Sequence, residues 1–153
     1  TQTMKLWVLR HGEAVPYGSC PDSERELTDH GRKEALSSAA HLIGQPLTAI
    51  YASPYLRAQQ TAQIVREALG FEPEIRTVEW LTPEVDPDKV TDQLVSVSNV
   101  LLVSHNPLVG NLLSYLQHGA GHPPERVSTA GLAELESPEL LIGSMTLNSL
   151  KHP

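Results

Sequence analysis

The chain has 153 residues, of which 40% are hydrophobic, and a formal net charge of −7 at pH 7. This length and composition predict a single domain over residues 1–153 and exclude general disorder. The acidic balance argues against a nucleic-acid partner, because proteins that bind nucleic acids usually carry a basic face. The one cysteine excludes an internal disulfide, and no Cys/His cluster has the spacing of a zinc site.

The sequence predicts neither a membrane span nor a secretion signal. Its apolar runs are far shorter than the roughly 20 residues that cross a bilayer, and its N-terminus lacks the charged region and long apolar core of a signal peptide. We therefore expect a cytoplasmic protein with no membrane partner. Met4 is the expected natural start, so residues 1–3 are expected to be foreign to the protein.

Apolar periodicity, helix caps and Gly/Pro breaks divide the chain into strands and helices. In chain order, the predicted elements are a strand over residues 4–9, a loop over 12–27, a helix over 29–43, a strand over 47–52, a helix over 54–69, a strand over 74–78, a helix over 87–97, a strand over 99–104, a helix over 107–118, and strands over 130–136 and 145–150. The predicted helix caps are Thr28, Ser53, Asp86 and Asn106. The first helix is expected to bury a face made of Ala35, Leu36, Ala39, Ala40 and Ile43.

The alternation of strands and helices predicts an α/β fold. Residues 100–103 read Val-Leu-Leu-Val, which is typical of a strand buried on both faces. The last two strands have no predicted helix between them, which favours an antiparallel addition at one edge. We therefore predict a three-layer sandwich with a mostly parallel central sheet and an antiparallel edge.

Three predicted strands end in residues suited to phosphate chemistry, which are residues 10–12, 53–57 and 104–107. Arginine holds phosphate oxygens with a planar fork, and histidine serves as nucleophile, acid or base near neutral pH. Gly12 allows the backbone to approach a ligand closely. Because neighbouring parallel strands end at one edge of a sheet, where α/β proteins bind ligands, these residues are predicted to converge.

Two of these strand ends also begin predicted helices, whose free N–H groups and positive dipole end favour phosphate. Each residue taken alone has a simpler explanation. Arg10 and His11 also fit an ordinary polar strand end. His105 also fits a structural position, and Arg57 also fits a solvated helix surface. The predicted phosphate site therefore depends on the convergence of these residues.

Four blocks in order along the chain resemble the histidine phosphatase superfamily, the phosphoglycerate-mutase-like enzymes. They are Leu-Arg-His-Gly-Glu at 9–13, Leu-Thr-Asp-His-Gly-Arg-Lys-Glu-Ala at 27–35, Ala-Ser-Pro-Tyr-Leu-Arg-Ala-Gln-Gln-Thr-Ala at 52–62, and Val-Ser-His-Asn at 103–106. The short chain, with Leu-Thr-Pro at 81–83 and Ser-His-Asn-Pro-Leu-Val-Gly at 104–110, further resembles the small phosphohistidine phosphatases of the SixA type. The resemblance implies a phosphoglycerate-mutase-like fold.

By this resemblance, His11 is the nucleophile, which takes the phosphoryl group before water releases it. Arg10 and Arg57 stabilise the charge of the transferring group, and His105 is a further donor that we expect to be protonated. Arg25 lies where the small phosphohistidine phosphatases carry an additional arginine that binds substrate; a solvated loop arginine is the alternative. Because arginines take the place of a magnesium clamp, no metal and no cofactor are expected.

Glu79 is the candidate general acid, although its surroundings lack the glycines that many relatives have in this segment. A sugar alkoxide is a poor leaving group that needs such an acid, whereas an imidazole, with a pKa of about 6.5, leaves far more easily. The departure from the family pattern therefore favours phosphohistidine over a phosphate monoester as the substrate.

The implied function is removal of phosphate from a histidine-phosphotransfer domain of a signalling phosphorelay, with inorganic phosphate as the product. A phosphatase of the same superfamily that acts on a small metabolite is an alternative. A non-catalytic phosphohistidine-binding module is an alternative from another class, although pure binding needs no nucleophile such as His11.

Overall fold

Two apolar strands lie in the middle of the sheet. In the computed structural model, which describes residues 4–18, 20–95, 97–140 and 142–153, these strands are β1 (Met4–Arg10) and β4 (Val100–Ser104). The other elements are α1 (Asp29–Ala40), β2 (Ala49–Ala52), α2 (Leu56–Leu69), β3 (Arg76–Thr77), α3 (Pro87–Gln93), α4 (Leu108–His118), β5 (Leu132–Ser137) and β6 (Thr146–Lys151). Residues 1–3, which we expected to be foreign to the protein, lie outside the described residues.

The strand order β3-β2-β4-β1-β5-β6 places β4 between β2 and β1. The pairs β1–β4, β4–β2 and β2–β3 are parallel, whereas the pairs β1–β5 and β5–β6 are antiparallel. Parallel neighbours need long crossovers, which here run through helices, while consecutive antiparallel strands do not. The predicted mostly parallel sheet with an antiparallel edge is confirmed.

Alternate residues of the central strands face two different layers of helices. One layer, on the side of α3 and α4, buries Leu6, Val8, Val100, Leu102, Val90 and Leu112. The other layer, on the side of α1 and α2, buries Trp7, Leu9, Leu101, Val103, Ala39, Ala58 and Ala62. This alternation is the period-two geometry of a strand that is covered on both faces, and it confirms the three-layer sandwich.

α1 begins as predicted, since Thr28 Oγ1 accepts a hydrogen bond from the Gly31 N–H at 3.0 Å. The helix ends at Ala40, and its buried residues are Gly31, Ala35, Ser38 and Ala39. Leu36 and Ile43, which we expected on the buried face, are 53% and 68% exposed, and Ala40 is exposed as well. The predicted face is wrong at these three positions because the helix packs closely through small residues.

α2 and α4 begin later than predicted, at Leu56 and Leu108. Ser53 is not the helix cap, since its Oγ accepts a hydrogen bond from the Tyr55 N–H at 3.2 Å in the turn before α2. Asn106 Oδ1 accepts from the Gly110 N–H at 3.2 Å. Each of these side chains therefore stabilises the turn between a strand and the helix that follows it. Both turns lie at the edge of the sheet where β2 and β4 end.

The outer elements are shorter than the sequence predicts. The edge strand β3 has two residues where 74–78 were expected, and α3 ends at Gln93, ahead of the predicted residue 97. Few neighbours pack against an edge strand, so local pattern alone is a poor guide to its length. Within the described ranges, no helix has both the length and the apolar character needed to cross a membrane.

Candidate active site

The three strand ends singled out in the sequence meet at one edge of the sheet. Arg10 pairs with Ser104 across the parallel ladder of β1 and β4. The His11 N–H donates to the Ser104 carbonyl at 3.0 Å, and the Ser53 N–H donates to the Val103 carbonyl at 3.1 Å. These backbone bonds hold the residues that follow β1 and β2 against the end of β4. The predicted convergence is therefore observed.

His11 is 6% exposed, and both of its ring nitrogens have partners. Its Nδ1 lies 2.7 Å from the Gly12 carbonyl oxygen, and Arg57 Nε lies 3.3 Å from its Nε2. Since a carbonyl only accepts and a guanidinium only donates, the proton lies on Nδ1 and the lone pair on Nε2. Nε2 is therefore the nitrogen that can act as a nucleophile.

The His11 imidazole is neutral at pH 7. Burial is the main cause that lowers the pKa of His11 to about 4, and the positive charges of Arg57, Arg10 and Arg25 add to the lowering. The hydrogen bond to the Gly12 carbonyl acts in the opposite direction. The ring therefore keeps its lone pair under physiological conditions, as a nucleophile requires.

Arg57 connects the nucleophile to the loop between β1 and α1. It lies in the first turn of α2 and is 3% exposed. Its Nη1 donates to the Asp22 carbonyl at 2.7 Å, and its Nη2 lies 3.3 Å from Asp22 Oδ2. The three donor groups of this guanidinium therefore fix it between His11 and Asp22, so the alternative of a solvated helix surface is wrong.

Arg25 belongs to the same cluster of charges. It is 7% exposed, its Nε lies 2.9 Å from Asp22 Oδ1, and its Nη1 donates to the Val15 carbonyl at 2.8 Å. The guanidinium also stacks on the Tyr17 ring, 3.9 Å from the ring centroid. The alternative of a solvated loop arginine is therefore wrong, and Arg25 adds a third positive charge near His11.

Two buried nitrogens at the site have no hydrogen-bond partner among the described residues. One is Nε of Arg10, whose Nη1 donates to the Val127 carbonyl at 2.9 Å, and the other is Nδ1 of His105. The ring centroids of His105 and His11 are 5.1 Å apart. Since buried polar groups are normally paired, these two nitrogens are candidate hydrogen-bonding groups for a ligand at this site.

His105 is neutral in this structure, whereas the resemblance led us to expect a protonated ring during phosphoryl transfer. Burial is the main cause, followed by the neighbouring His11 and the charge of Arg57, and together they lower the pKa of His105 to about 2. The ring still carries one N–H. Ser53 Oγ lies 2.7 Å from His105 Nε2, and a hydroxyl that donates there leaves the N–H on Nδ1, the unpartnered nitrogen.

Gly12 packs closely against α1. A Cβ on Gly12 would lie 2.4 Å from the carbonyl oxygen of Gly31 in α1, so a side chain cannot fit. The Gly12 N–H donates to Thr61 Oγ1 at 3.1 Å and is therefore already used. The glycine lets the end of β1 lie against α1, which fixes the position of His11.

The described contacts do not bring Glu79 into the cluster. It begins a short 3₁₀ turn, Glu79–Leu81, and its side chain is exposed. Its carbonyl accepts a hydrogen bond from Thr82. Among the described residues, no hydrogen bond or ion pair joins the Glu79 carboxylate to His11 or Arg57.

Asp22 and Thr61 also organise the site, although the sequence motifs did not predict them. Asp22 pairs with both Arg25 and Arg57. Thr61 Oγ1 accepts from Gly12 and donates to the Arg57 carbonyl at 2.8 Å, which links the end of β1 to α2. Their spacing was a usable signal, because Asp22 precedes Arg25 by three residues and Thr61 follows Arg57 by one helical turn.

The arrangement is suited to phosphoryl transfer. It combines a neutral imidazole nitrogen with the guanidinium groups of Arg10, Arg25 and Arg57, of which the last two are buried, in a chain whose net charge is −7. A guanidinium group can donate two parallel hydrogen bonds to phosphoryl oxygens, and its positive charge stabilises their negative charge. Within the described ranges, no group of three or more His, Cys, Asp or Glu side chains is placed to hold a metal ion.

Comparison with known proteins agrees with this geometry. Residues 6–82 match the family described as the histidine phosphatase superfamily, branch 1. The chain belongs to this superfamily, whose hydrolases use a histidine nucleophile.

Two bacterial proteins are similar to the chain over most of their length. Phosphohistidine phosphatase SixA of Escherichia coli (strain K12) is 33% identical over 139 residues, which cover 86% of this chain and 84% of that protein. The phosphohistidine phosphatase SixA homolog of Haemophilus influenzae is 34% identical over 134 residues, which cover 78% and 80%. The resemblance to phosphatases of the SixA type is confirmed.

One solved structure is similar over nearly the whole fold. The structure of the protein histidine phosphatase SixA complexed with tungstate has a TM-score of 0.86 and 32% sequence identity, and the match covers 98% of this chain and 97% of that chain. This similarity confirms the histidine phosphatase fold that the sequence motifs imply.

Proposed function

We propose that the protein removes phosphate from a histidine of a histidine-phosphotransfer domain in a signalling phosphorelay, through a covalent intermediate on His11. The observation that carries the proposal is the buried, neutral His11, whose Nε2 lone pair lies 3.3 Å from Arg57 Nε. Similarity to the SixA phosphohistidine phosphatase of Escherichia coli supports phosphohistidine as the substrate. A module that only binds phosphohistidine would not need this nucleophilic nitrogen.

In the first step, His11 Nε2 attacks phosphorus in line with the bond that breaks. A nitrogen–phosphorus bond forms at Nε2, the substrate's nitrogen–phosphorus bond breaks, and its electron pair stays on the leaving imidazole. His11 keeps its Nδ1 proton, and the Gly12 carbonyl stabilises the positive charge that the phosphorylated ring acquires. Arg10, Arg57 and Arg25 stabilise the phosphoryl oxygens, while His105 Nδ1 is a further donor.

In the second step, water attacks the phosphorus of phospho-His11. The hydroxyl group of water joins phosphorus, and its proton goes to a phosphoryl oxygen. The bond to Nε2 breaks, its electron pair returns to Nε2 as the lone pair, and His11 is again neutral with the proton on Nδ1. Inorganic phosphate leaves, and its ionisation then equilibrates with the solvent.

The test uses a histidine-phosphotransfer domain that carries ³²P-phosphohistidine. We expect the wild type to release inorganic phosphate and to show label on His11 after an alkaline quench, which preserves phosphohistidine. His11→Ala should lose activity about ten-thousandfold or more, the scale of losing a nucleophile. His122→Ala is the matched control, because His122 is exposed and should keep both activity and label.

Two results would contradict the proposal. Binding of the phosphorylated domain without label on His11 would indicate a binding module. We also propose that the arginines make a metal unnecessary, so activity should persist in EDTA; activity that disappears in EDTA and returns with magnesium would contradict this part.

A further inference from the structure

Asp22 lies between the buried arginines and the solvent. Its side chain is 42% exposed, whereas the side chains of Arg57 and Arg25 are 3% and 9% exposed. Asp22 Oδ1 lies 2.9 Å from Arg25 Nε, and Oδ2 lies 3.3 Å from Arg57 Nη2. Since Arg57 Nε also contacts His11 Nε2 at 3.3 Å, one guanidinium separates this carboxylate from the nucleophile.

The Asp22 carboxylate is ionised at neutral pH. Burial acts to raise the pKa of Asp22, but the hydrogen bond from Arg25 and the positive charge of Arg57 outweigh burial and hold the pKa below its ordinary value. The protein therefore keeps a negative charge at the solvent side of a site that binds anions. Such a charge needs an explanation, because it weakens the attraction of the two arginines for phosphate.

A carboxylate at this place affects two kinds of phosphate substrate in opposite ways. It repels a dianionic phosphate monoester, because the ester has no positively charged group that could interact with the carboxylate. A phosphohistidine has a second ring nitrogen, which does not carry phosphorus. When that nitrogen is protonated, its N–H can donate to a carboxylate, and the positive charge of the ring is stabilised by the negative group.

We propose that Asp22 selects phosphohistidine over phosphate monoesters by accepting a hydrogen bond from the second ring nitrogen of the leaving imidazole. The inference rests on the proposed function and deepens it, because it names the residue that sets the substrate class. The Asp22 side chain is exposed to a ring that enters from solvent, and the Arg57 guanidinium contacts both Asp22 and His11.

During transfer of phosphorus to His11, no proton moves to or from the leaving ring. Asp22 holds the proton on the second ring nitrogen while the bond between the other nitrogen and phosphorus breaks. The electron pair of that bond stays on the nitrogen, and the ring leaves as neutral imidazole. The Gly12 carbonyl does the same for His11, whose Nδ1 proton it accepts as a hydrogen bond. No proton is delivered to the scissile nitrogen, so the step needs no general acid such as Glu79.

The test compares kcat/KM for phosphate release from an N-phosphohistidine peptide and from phenyl phosphate. Asp22→Asn should lower the ratio of the two values, peptide over ester, by about ten- to hundredfold, the effect of one close opposite charge on an ionisable group. Asp22→Glu restores the charge and should recover most of the ratio. Asp22 lies in a 3₁₀ turn, Asp22–Glu24, in which Glu24 is exposed. Glu24→Gln is therefore the matched control and should leave the ratio unchanged.

A pH profile separates this role from mere positioning of Arg57. Arg25 and Arg57 are the charged groups that face Asp22. Wild-type activity on the peptide should persist to higher pH than that of Asp22→Asn, because the carboxylate keeps the leaving ring protonated. If Asp22→Asn loses activity equally on both substrates while the wild type hydrolyses the peptide, this inference alone is wrong. A wild type that hydrolyses only the ester overturns the proposed function as well.

Discussion

Burial decides the charge of the residues in the site. His11 and His105 lie beside three arginines, and burial together with these charges keeps both rings neutral at pH 7. The Gly12 carbonyl then fixes the proton of His11 on Nδ1. Sequence motifs could name the histidines, but the tautomer and the charge follow from neighbours that are distant in sequence, such as Ser53, which lies 52 positions from His105.

We predict that Glu79→Gln changes activity on a phosphohistidine protein by less than about tenfold. The side chain is exposed, and an imidazole leaves without a general acid at the scissile nitrogen. The measurement is kcat/KM for phosphate release, with Glu84→Gln, at a nearby exposed position, as the control. A loss of about a thousandfold, the scale of general acid catalysis, would make Glu79 the acid after all.

At the scale of elements, two helices position the end of β1. α1 packs closely against the residues that follow β1 because it has a glycine at the contact. A Cβ on Gly31 would lie 2.0 Å from the Glu13 carbonyl oxygen. α2 contributes Thr61, whose hydroxyl receives the Gly12 N–H and donates back to the Arg57 carbonyl. Local patterns predicted both helices, but they placed large residues on the buried face of α1, where close approach requires small ones.

We predict that Gly31→Ala destabilises the protein, although alanine is the better helix former by about 1 kcal/mol. The added methyl group meets backbone atoms that cannot yield without moving the His11 loop, so we expect a loss of about 2 kcal/mol or more in the free energy of unfolding. Urea denaturation measures it. Ser37→Ala, at an exposed position of α1, should be neutral or stabilising. Equal or greater stability of Gly31→Ala would contradict the close packing.

At the scale of the whole molecule, the strand order creates the site. Because β4 lies between β1 and β2, three strand-to-helix turns that are far apart in sequence meet at one sheet edge. The net charge of −7 does not prevent anion binding, since Arg10, Arg25 and Arg57 create a local positive region in an acidic protein. Folding therefore brings together three positive charges that are spread along the sequence from position 10 to position 57.

We predict that the stability of the protein falls as the pH decreases below about 6.5. Unfolded histidines titrate near 6.5, whereas the folded pKa values are about 4 for His11 and about 2 for His105. Between pH 6.5 and pH 4 the unfolded state therefore binds protons that the folded state does not. At pH 5 each buried histidine should cost about 2 kcal/mol of stability relative to neutral pH.

Urea titrations at pH 7.5 and pH 5 test this prediction. His105→Asn should remove about half of the fall in unfolding free energy that the two histidines cause, while His122→Asn, at an exposed position, should leave it unchanged. If the wild type and His105→Asn lose equal stability between the two pH values, the buried neutral His105 is not the cause.

The sequence by itself determined the fold class, the family and the identity of most site residues. Arg10, His11, Arg57 and His105 stand in motif blocks whose order is a property of the chain alone. The apolar pattern of residues 100–103 likewise predicted the central strand, because a strand buried on both faces has no polar alternation.

Only the tertiary structure decided the charges, the tautomer and the partners. It made both histidines neutral, buried Arg25, bonded the Gly12 amide to Thr61, and paired Asp22 with Arg25 and Arg57. The physical reason is that burial and electrostatic neighbours depend on distances in space, which local sequence patterns do not contain. Helix and strand periodicity, in contrast, is local and can be read along the chain.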